Sequence, residues 1–253
     1  MISTHPLLPK LKQLKLSGML NTLELRAEQA SQEQLSPVEF FALLLDDELE
    51  RREQSRMAYQ LAASGCTSSK TLSQFDFSVA AGVNRSFITD LATCNFIQRH
   101  ENVLFCGPTG VGKTHLANAL GIEAMKRNFR VISKPTYRLL ADLNASRASG
   151  SYNRYFASLL RCDLLILDDF GLQTLPPVAI QDLYEIIYER YETGSILVTS
   201  NRAFEEWAEI FDNDLLSSAA LDRLTHHAHS LIIQGESYRQ LSRRKEALLL
   251  AKS

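Results

Sequence analysis

Between His5 and Ala30 the apolar residues Leu7, Leu11 and Leu14, then Leu16, Met19, Leu20 and Leu23, recur at three- and four-residue intervals, the spacing of one helix face. The run predicts a single amphipathic helix. A second helix is predicted to begin at Ser36-Pro37-Val38-Glu39, where Ser36 can cap, Pro37 suits the first helical position and Glu39 can reach back to complete a capping box. Its apolar face continues through Phe40, Phe41, Leu44 and Leu45, and the charged run from Asp46 to Glu53 reads as its solvated face. The small and polar stretch AASGCTSSKTLSQFDFS then reads as a linker, with a boundary near residues 65 to 75. A helical N-terminal module over 1–68 and a second domain over 69–253 are expected.

In the second domain the period changes. Short apolar runs at 103–106, 130–133, 164–168, 195–200 and 230–233 alternate with helical segments, the pattern of an α/β domain whose mostly parallel, five-stranded sheet carries helices on both faces. No internal repeat is present.

Composition narrows the class only modestly. The 253 residues suffice for one buried core and a small appendage, and 45% hydrophobic, 22% charged and a net charge of −2 describe a globular chain rather than a disordered one. Cys66, Cys94, Cys106 and Cys162 lie far apart without C-x-x-C spacing, so neither a zinc site nor a disulfide framework is indicated, and a reducing cytoplasm fits. Lys10, Lys12 and Lys15 interrupt the N-terminal leucines, and no apolar run approaches the roughly 20 residues of a membrane span. A cytoplasmic protein without a membrane partner is expected.

Phosphate chemistry enters with residues 105–115, FCGPTGVGKTH. In this G-x-x-x-x-G-K-[ST] pattern Gly107 and Gly112 permit tight turns, so that the loop Pro108-Thr109-Gly110-Val111, through the N–H groups of its three non-proline residues, and the start of the next helix, through Thr114 and His115, can surround phosphates. Lys113 would meet the β and γ oxygens of ATP and Thr114 would ligate Mg²⁺. The bland alternative is a glycine-rich turn after a strand. A second run, LLILDDFG at 164–171, is a buried strand ending in two acids, Asp168 to hold Mg²⁺ and Asp169 to polarise the attacking water, unless the pair merely caps a loop. Asn201, at the end of SILVTSN, could orient that water or simply mark a turn. Arg223, on a helix-like stretch after the fourth strand, is of the type that completes a neighbouring subunit's site, or else pairs with Asp222 on the surface. Arg239 in GESYR is a second candidate for sensing γ-phosphate. His226, His227 and His229 lack partners of metal-site spacing and read as a wetted helix face.

In order along the chain, NVLFCGPTGVGKTHLANAL, LLILDDFG, RYETGSILVTSN, EEW, LDRLTHHAH and GESYR together resemble the IstB-like transposition helper ATPases, relatives of the DnaC helicase loaders within the AAA+ superfamily. The resemblance implies an AAA+ P-loop domain, ATP and Mg²⁺ as cofactors, and Lys113 and Thr114 as phosphate and metal contacts. It implies Asp168 and Asp169 as the acidic pair, Asn201 as first sensor, Arg223 as a finger acting on a neighbouring copy, and Arg239 as second sensor. It further implies a homo-oligomer, ring or spiral, assembled with ATP on duplex DNA beside an insertion-sequence transposase that it stimulates and helps direct to a target. The chain departs from the family before TLSQFDF, where AASGCTSSK offers only Lys70 as a basic group. A DnaC-type replicative helicase loader is the alternative. A small-molecule P-loop kinase fits less well, since Asn201 and Arg223 have evident work only in an oligomeric ATPase. A protein-unfolding machine lacks its aromatic-hydrophobic-glycine pore loop.

Charge is uneven along the domain. Between 126 and 161 there are eight basic residues against one acid, Asp142, with Tyr137, Tyr152, Tyr155 and Phe156 interleaved, a mixture suited to phosphate contact. Lys134, Arg138, Arg147 and Arg154 are the candidate DNA contacts. From 168 to 214 eleven acids face two basic residues, so a positive and a negative edge are expected.

Overall fold

The computed structural model describes residues 6–78, 80, 82–211, 214–235, 237–238 and 240. The chain divides into two compact units, Met1–Gln60 and Leu61–Ser253, the division falling within a long third helix.

In the first unit the single expected N-terminal helix is two, α1 (Leu8–Gln13) and α2 (Ser17–Glu33). Lys15 adopts the left-handed conformation (φ 58°), and the N–H groups of Leu16 and Lys15 return to the carbonyls of Leu11 and Lys12. This doubly closed end terminates a helix whatever its apolar period. The third helix, α3 (Pro37–Ser64), starts with the expected capping box: Ser36 N–H donates to Glu39 (2.7 Å) and Glu39 N–H to Ser36 Oγ (3.3 Å). Met19, Leu23 and Leu44 form the small core of this unit, with Leu8, Leu11, Leu16 and Phe40 packed around it.

The acidic run of α3 is not simply a solvated face. No side chain of α2's own first turn caps that helix; Glu48, 5% exposed, instead accepts from the N–H of Gly18 (2.7 Å) and Met19 (3.4 Å). A carboxylate there satisfies orphan donors at the positive end of the helix dipole. Beside it Asp47 takes a two-pronged contact from Arg26 (2.7 and 2.8 Å). Conversely Phe41 and Leu45, assigned from sequence to the buried face, are exposed.

The second unit begins with a single 3-10 turn at Leu72–Gln74, then α4 (Arg85–Leu91), α5 (Asn95–Gln98), β1 (Asn102–Cys106), α6 (Lys113–Lys126), β2 (Val131–Pro135), α7 (Thr136–Ala148), α8 (Tyr152–Arg161), β3 (Leu164–Phe170), α9 (Pro177–Arg190), β4 (Ser195–Ser200), a 3-10 segment (Phe204–Ile210), α10 (Asp214–Thr225) and β5 (Ala228–Ile232). The five strands form one sheet in the order β2-β3-β4-β1-β5, and every pairing is parallel. β1 and β4 are buried throughout and the edge strands β2 and β5 only in part, as strands sandwiched by helices require. Leu104, Leu165, Leu167, Ile196 and Val198 project into a core with α7 to α10 and Trp207. Ile166 points the other way, onto α6, where a Cβ added at Gly121 would lie 3.0 Å from it. No helix among the described residues is long and apolar enough to cross a membrane.

Two polar joints hold the helices. Arg190, 1% exposed, donates from Nη1 to the carbonyls of Leu159 (2.7 Å) and Cys162 (2.9 Å) and from Nη2 to that of Ser195 (2.7 Å). It fastens the end of α8 to the entries of β3 and β4. Asp182 of α9, buried, receives Arg147 through both guanidinium arms (2.5 and 2.7 Å) and the Tyr152 hydroxyl (2.8 Å), tying α7 and α8 to α9. One acid of the negative stretch is thus spent inside the fold on one base of the positive stretch.

Candidate nucleotide site

The C-terminal edge of a parallel sheet is where α/β domains collect ligands, and here β1, β3 and β4 each deliver a piece. The turn after β1 carries Gly107, Gly110 and Gly112 at φ +146°, +89° and +104°, values that glycine alone adopts without strain. Close packing also excludes a side chain at Gly112, since a Cβ there would lie 2.7 Å from the Phe75 ring. α6 follows immediately, and no side chain caps it. Its first-turn N–H groups are therefore available to an anion.

Lys113, 5% exposed, directs its ammonium onto the carbonyls of Gly107 (2.6 Å) and Pro108 (2.8 Å) and onto Asn201 Oδ1 (2.7 Å). Burial pulls its pKa below the ordinary lysine range, while Asp169 and Asp168 push it up. An ammonium held at this place can also meet phosphate oxygens.

The two acids owe their placement to a bulge. Leu167 pairs with Val198 and Phe170 with Ser200, so Asp168 and Asp169 together oppose the single residue Thr199. Asp169 takes a left-handed backbone (φ 53°). In an unbroken strand the two side chains would point to opposite faces; the extra residue re-aims one of them. Thr199 closes the bulge, its hydroxyl donating to Asp168 Oδ1 and accepting from Asp169 N–H (3.1 Å). Thr114 Oγ1 donates to the same Asp168 oxygen (2.9 Å). Thr114 and Asp168 form an all-oxygen pair of the kind that holds Mg²⁺ together with phosphate oxygens.

These groups open on a cavity of about 650 Å³. Thr109, Gly110, Gly112, Lys113, Thr114, Asp169 and Asn201 line one side; Lys70, Gln74, Phe75, Asp76 and His115 line the other. The second wall was not legible as function in the sequence, where 62–78 reads as a linker. It is instead bound to the phosphate-loop helix. Asn118 accepts from Thr67 N–H (2.7 Å) and donates to the carbonyls of Thr67 and Lys70 (both 2.9 Å), His115 Nε2 contacts the Thr71 carbonyl (2.8 Å), and Phe75 meets the His115 ring edge-on. His115 and Asn118, one turn apart on α6, were the available signal. Thr199, two positions before Asn201, was likewise passed over. Tyr238 adds a third wall, its N–H donating to the Gly110 carbonyl (3.0 Å). Arg239 lies outside the described residues.

Arg223 is elsewhere. Its carbonyl, with that of Leu224, accepts from Asn102 Nδ2 (3.3 and 3.1 Å), which places it beside the first residue of β1, whereas the phosphate loop leaves the last. Roughly 15 Å of strand intervenes. Its guanidinium donates to the Ala219 carbonyl (2.7 Å) and lies over the rings of Tyr188 (5.0 Å) and Tyr191 (5.9 Å), not against Asp222. His226 contacts the Tyr191 hydroxyl and His229 pairs with Glu101; no cluster able to hold a metal through His, Cys, Asp or Glu occurs among the described residues.

Of the four candidate DNA contacts, Arg138 and Arg154 are exposed and make no side-chain pairing among the described residues. Lys134 is held by Asp142 (2.7 Å) and Tyr155 (3.0 Å), and Arg147 by Asp182. An open cavity of about 740 Å³ between α7 and α8 has Lys134, Asp142 and Arg154 among its lining.

Asp169→Asn tests the acidic pair. Asn occupies the left-handed region as readily as Asp, so the bulge and the Thr114–Asp168 pair should persist while the carboxylate expected to polarise the water is lost. Turnover is expected to fall about 10²- to 10⁴-fold with ATP affinity retained, measured by steady-state hydrolysis and equilibrium nucleotide binding. Near-normal turnover would remove Asp169 from the water-activating role.

Comparison with known proteins places this geometry. The family described as IstB-like ATP binding protein matches residues 9–247. A Pseudomonas aeruginosa protein named as an ATP-binding protein of insertion sequence IS21 is 38% identical, the alignment covering 97% of this chain and 92% of the relative. Among solved structures, AMPPCP-bound DnaA from Aquifex aeolicus superposes with a TM-score of 0.57 at 22% identity, over 68% of this chain and about half (52%) of that longer one. The DnaC helicase loader gives 0.53 at 22% identity, over 66% of this chain and 98% of its own. At such identity these two likenesses establish the fold alone, that of an AAA+ P-loop domain.

Proposed function

The chain belongs to the IstB-like ATP-binding protein family, and from that membership we propose that it is an ATP-driven assembly factor that gathers in several copies on duplex DNA and assists an insertion-sequence transposase, stimulating it and helping choose the target. Lys113 and the N–H groups of 109–115 bind the phosphates. Thr114 and Asp168 hold Mg²⁺, which when bound neutralises charge developing on the phosphate oxygens. Asp169 and Asn201 orient the attacking water, Asp169 taking its proton. Arg223 serves the nucleotide of a neighbouring copy, and Arg239 the nucleotide of its own.

The observation that carries this reading is the position of Arg223. A half-buried arginine without a carboxylate partner among the described residues sits at the opposite sheet edge from its own phosphate loop, farther than its side chain reaches. The nucleotide of a neighbouring copy would give such a group a target. Electron microscopy with a slow ATP analogue, with and without duplex DNA, tests the assembly: a ring or spiral holding DNA is expected, and a monomer under all conditions contradicts it.

For DNA, the exposed Arg138 and Arg154 are the phosphate contacts we propose, with Lys134 at the rim of the α7–α8 cavity. Arg147 belongs to the earlier group by sequence, but its guanidinium is engaged by Asp182. Replacing Arg138 or Arg154 by Ala in every copy should weaken ATP-dependent binding to all duplex sequences and flatten its salt dependence, because fewer counterions are released. Arg147→Ala should instead leave Asp182 with the Tyr152 hydroxyl and no cation, and destabilise the fold by no more than about 3 kcal/mol, less than for a fully buried pair since the arginine is partly exposed. Affinity titrations across salt concentration and thermal unfolding separate the two effects. An unchanged salt slope and affinity in both Arg138→Ala and Arg154→Ala would return this face to an ordinary solvated helix surface.

A further inference from the structure

Around Arg223 the sequence supplies aromatic rings where a carboxylate would be the common partner. Tyr184 and Tyr188, one turn apart on α9, stack on each other with centroids 6.1 Å apart; the Arg223 guanidinium lies over Tyr188 at 5.0 Å and over Tyr191 at 5.9 Å. The Tyr191 hydroxyl is fixed by His226 Nδ1 (2.9 Å). One arm of the guanidinium, Nη1, is spent on the Ala219 carbonyl of its own helix, and the rest of its N–H edge makes no hydrogen bond among the described residues. Tyr188 remains 51% exposed.

We propose that Tyr188, backed by Tyr184 and Tyr191, is a positioning residue that holds Arg223 in the direction of a neighbouring copy's γ-phosphate. This inference rests on the reading of Arg223 as a finger acting between copies. The physical advantage of rings over an acid is specific. A carboxylate would fix the guanidinium but neutralise it and occupy its hydrogen-bonding edge, whereas a ring face restrains the plane of the group and leaves both charge and edge to be used. A ring also lowers the entropy lost when the long side chain is immobilised against phosphate.

The test uses the full-length chain assembled with ATP and duplex DNA. Tyr188→Ala is expected to lower kcat for ATP hydrolysis about tenfold, in line with the loss of one partly desolvated cation–π contact, with ATP affinity unchanged. Tyr188→Phe, which keeps the ring face, is expected to restore kcat. Adding Asp169→Asn chains, unable to hydrolyse but carrying an intact finger, should raise the turnover of Tyr188→Ala chains, because an unimpaired arginine then serves their pockets. A misfolded chain could not be rescued in that way. If Arg223→Ala abolishes turnover while Tyr188→Ala leaves kcat unchanged, the positioning role is overturned and the finger stands. If Arg223→Ala itself leaves turnover unchanged, the finger reading falls and the positioning role with it. Failure of Tyr188→Phe to restore kcat also overturns the ring-face mechanism.

Discussion

Arg223→Ala is expected to leave ATP binding by the separate chain intact and to reduce hydrolysis by the assembled protein about 10³- to 10⁵-fold, the range over which an arginine supplied to a transferring phosphoryl group acts. The spared binding follows from geometry. The residue is fastened beside Asn102, at the entry of β1, and is not among the residues lining the nucleotide cavity. Folding should be little affected, because the side chain contributes one hydrogen bond, to the Ala219 carbonyl, and no ion pair among the described residues. The decisive measurement mixes two defective chains. Arg223→Ala chains keep their pockets and Asp169→Asn chains keep their fingers, so a mixture should hydrolyse ATP where neither does alone. No recovery at any mixing ratio would place the arginine in its own chain's site or make it purely structural.

Lys113→Ala should weaken ATP binding by about 10²- to 10⁴-fold, as expected for losing two charge-assisted contacts to phosphate oxygens. The fold should survive. Among the described residues the desolvated ammonium donates to two backbone carbonyls and Asn201, neutral acceptors whose loss of a donor costs less than stranding a buried charge would. Calorimetric titration with ATP, set beside a thermal melt of the same sample, reads both effects. Unchanged ATP affinity would dismiss the phosphate-loop assignment, and a collapsed melting transition would show that the lysine is structural first.

The candidate nucleotide site is legible in outline because its pieces are written in consecutive residues. Gly107 to Thr114 form one turn and one helix start, and Leu164 to Asp169 one strand, so local sequence determines local shape. Even there the bulge was hidden: nothing in LLILDDFG announces that two residues oppose Thr199, since the count depends on the register of β3 against β4. Polar residues with distant partners were read worst. Glu48 looks solvated until Gly18 and Met19 are brought beneath it, thirty positions away, and Arg147 looks like a phosphate contact until α9 presents Asp182. The stretch at 62–78 has the composition of a linker, yet Asn118 and His115 organise it as a wall of the site. The break at Lys15 failed for a different reason. Apolar periodicity reports which face is buried, but not where a left-handed residue ends one helix and lets the next resume the same face.

Arg190 gives the sheet's entry edge an unusual chemical constancy. A joint between two ionisable side chains can be undone from outside by protonating the acid. Here the guanidinium donates to the peptide carbonyls of Leu159, Leu160, Cys162, Asp163 and Ser195, with the Cys162 thiol beside them, and neither a peptide oxygen nor a protonated thiol takes up a proton in any medium in which the protein folds. Acid therefore has no direct purchase on the hydrogen bonds that fasten α8 to the entries of β3 and β4.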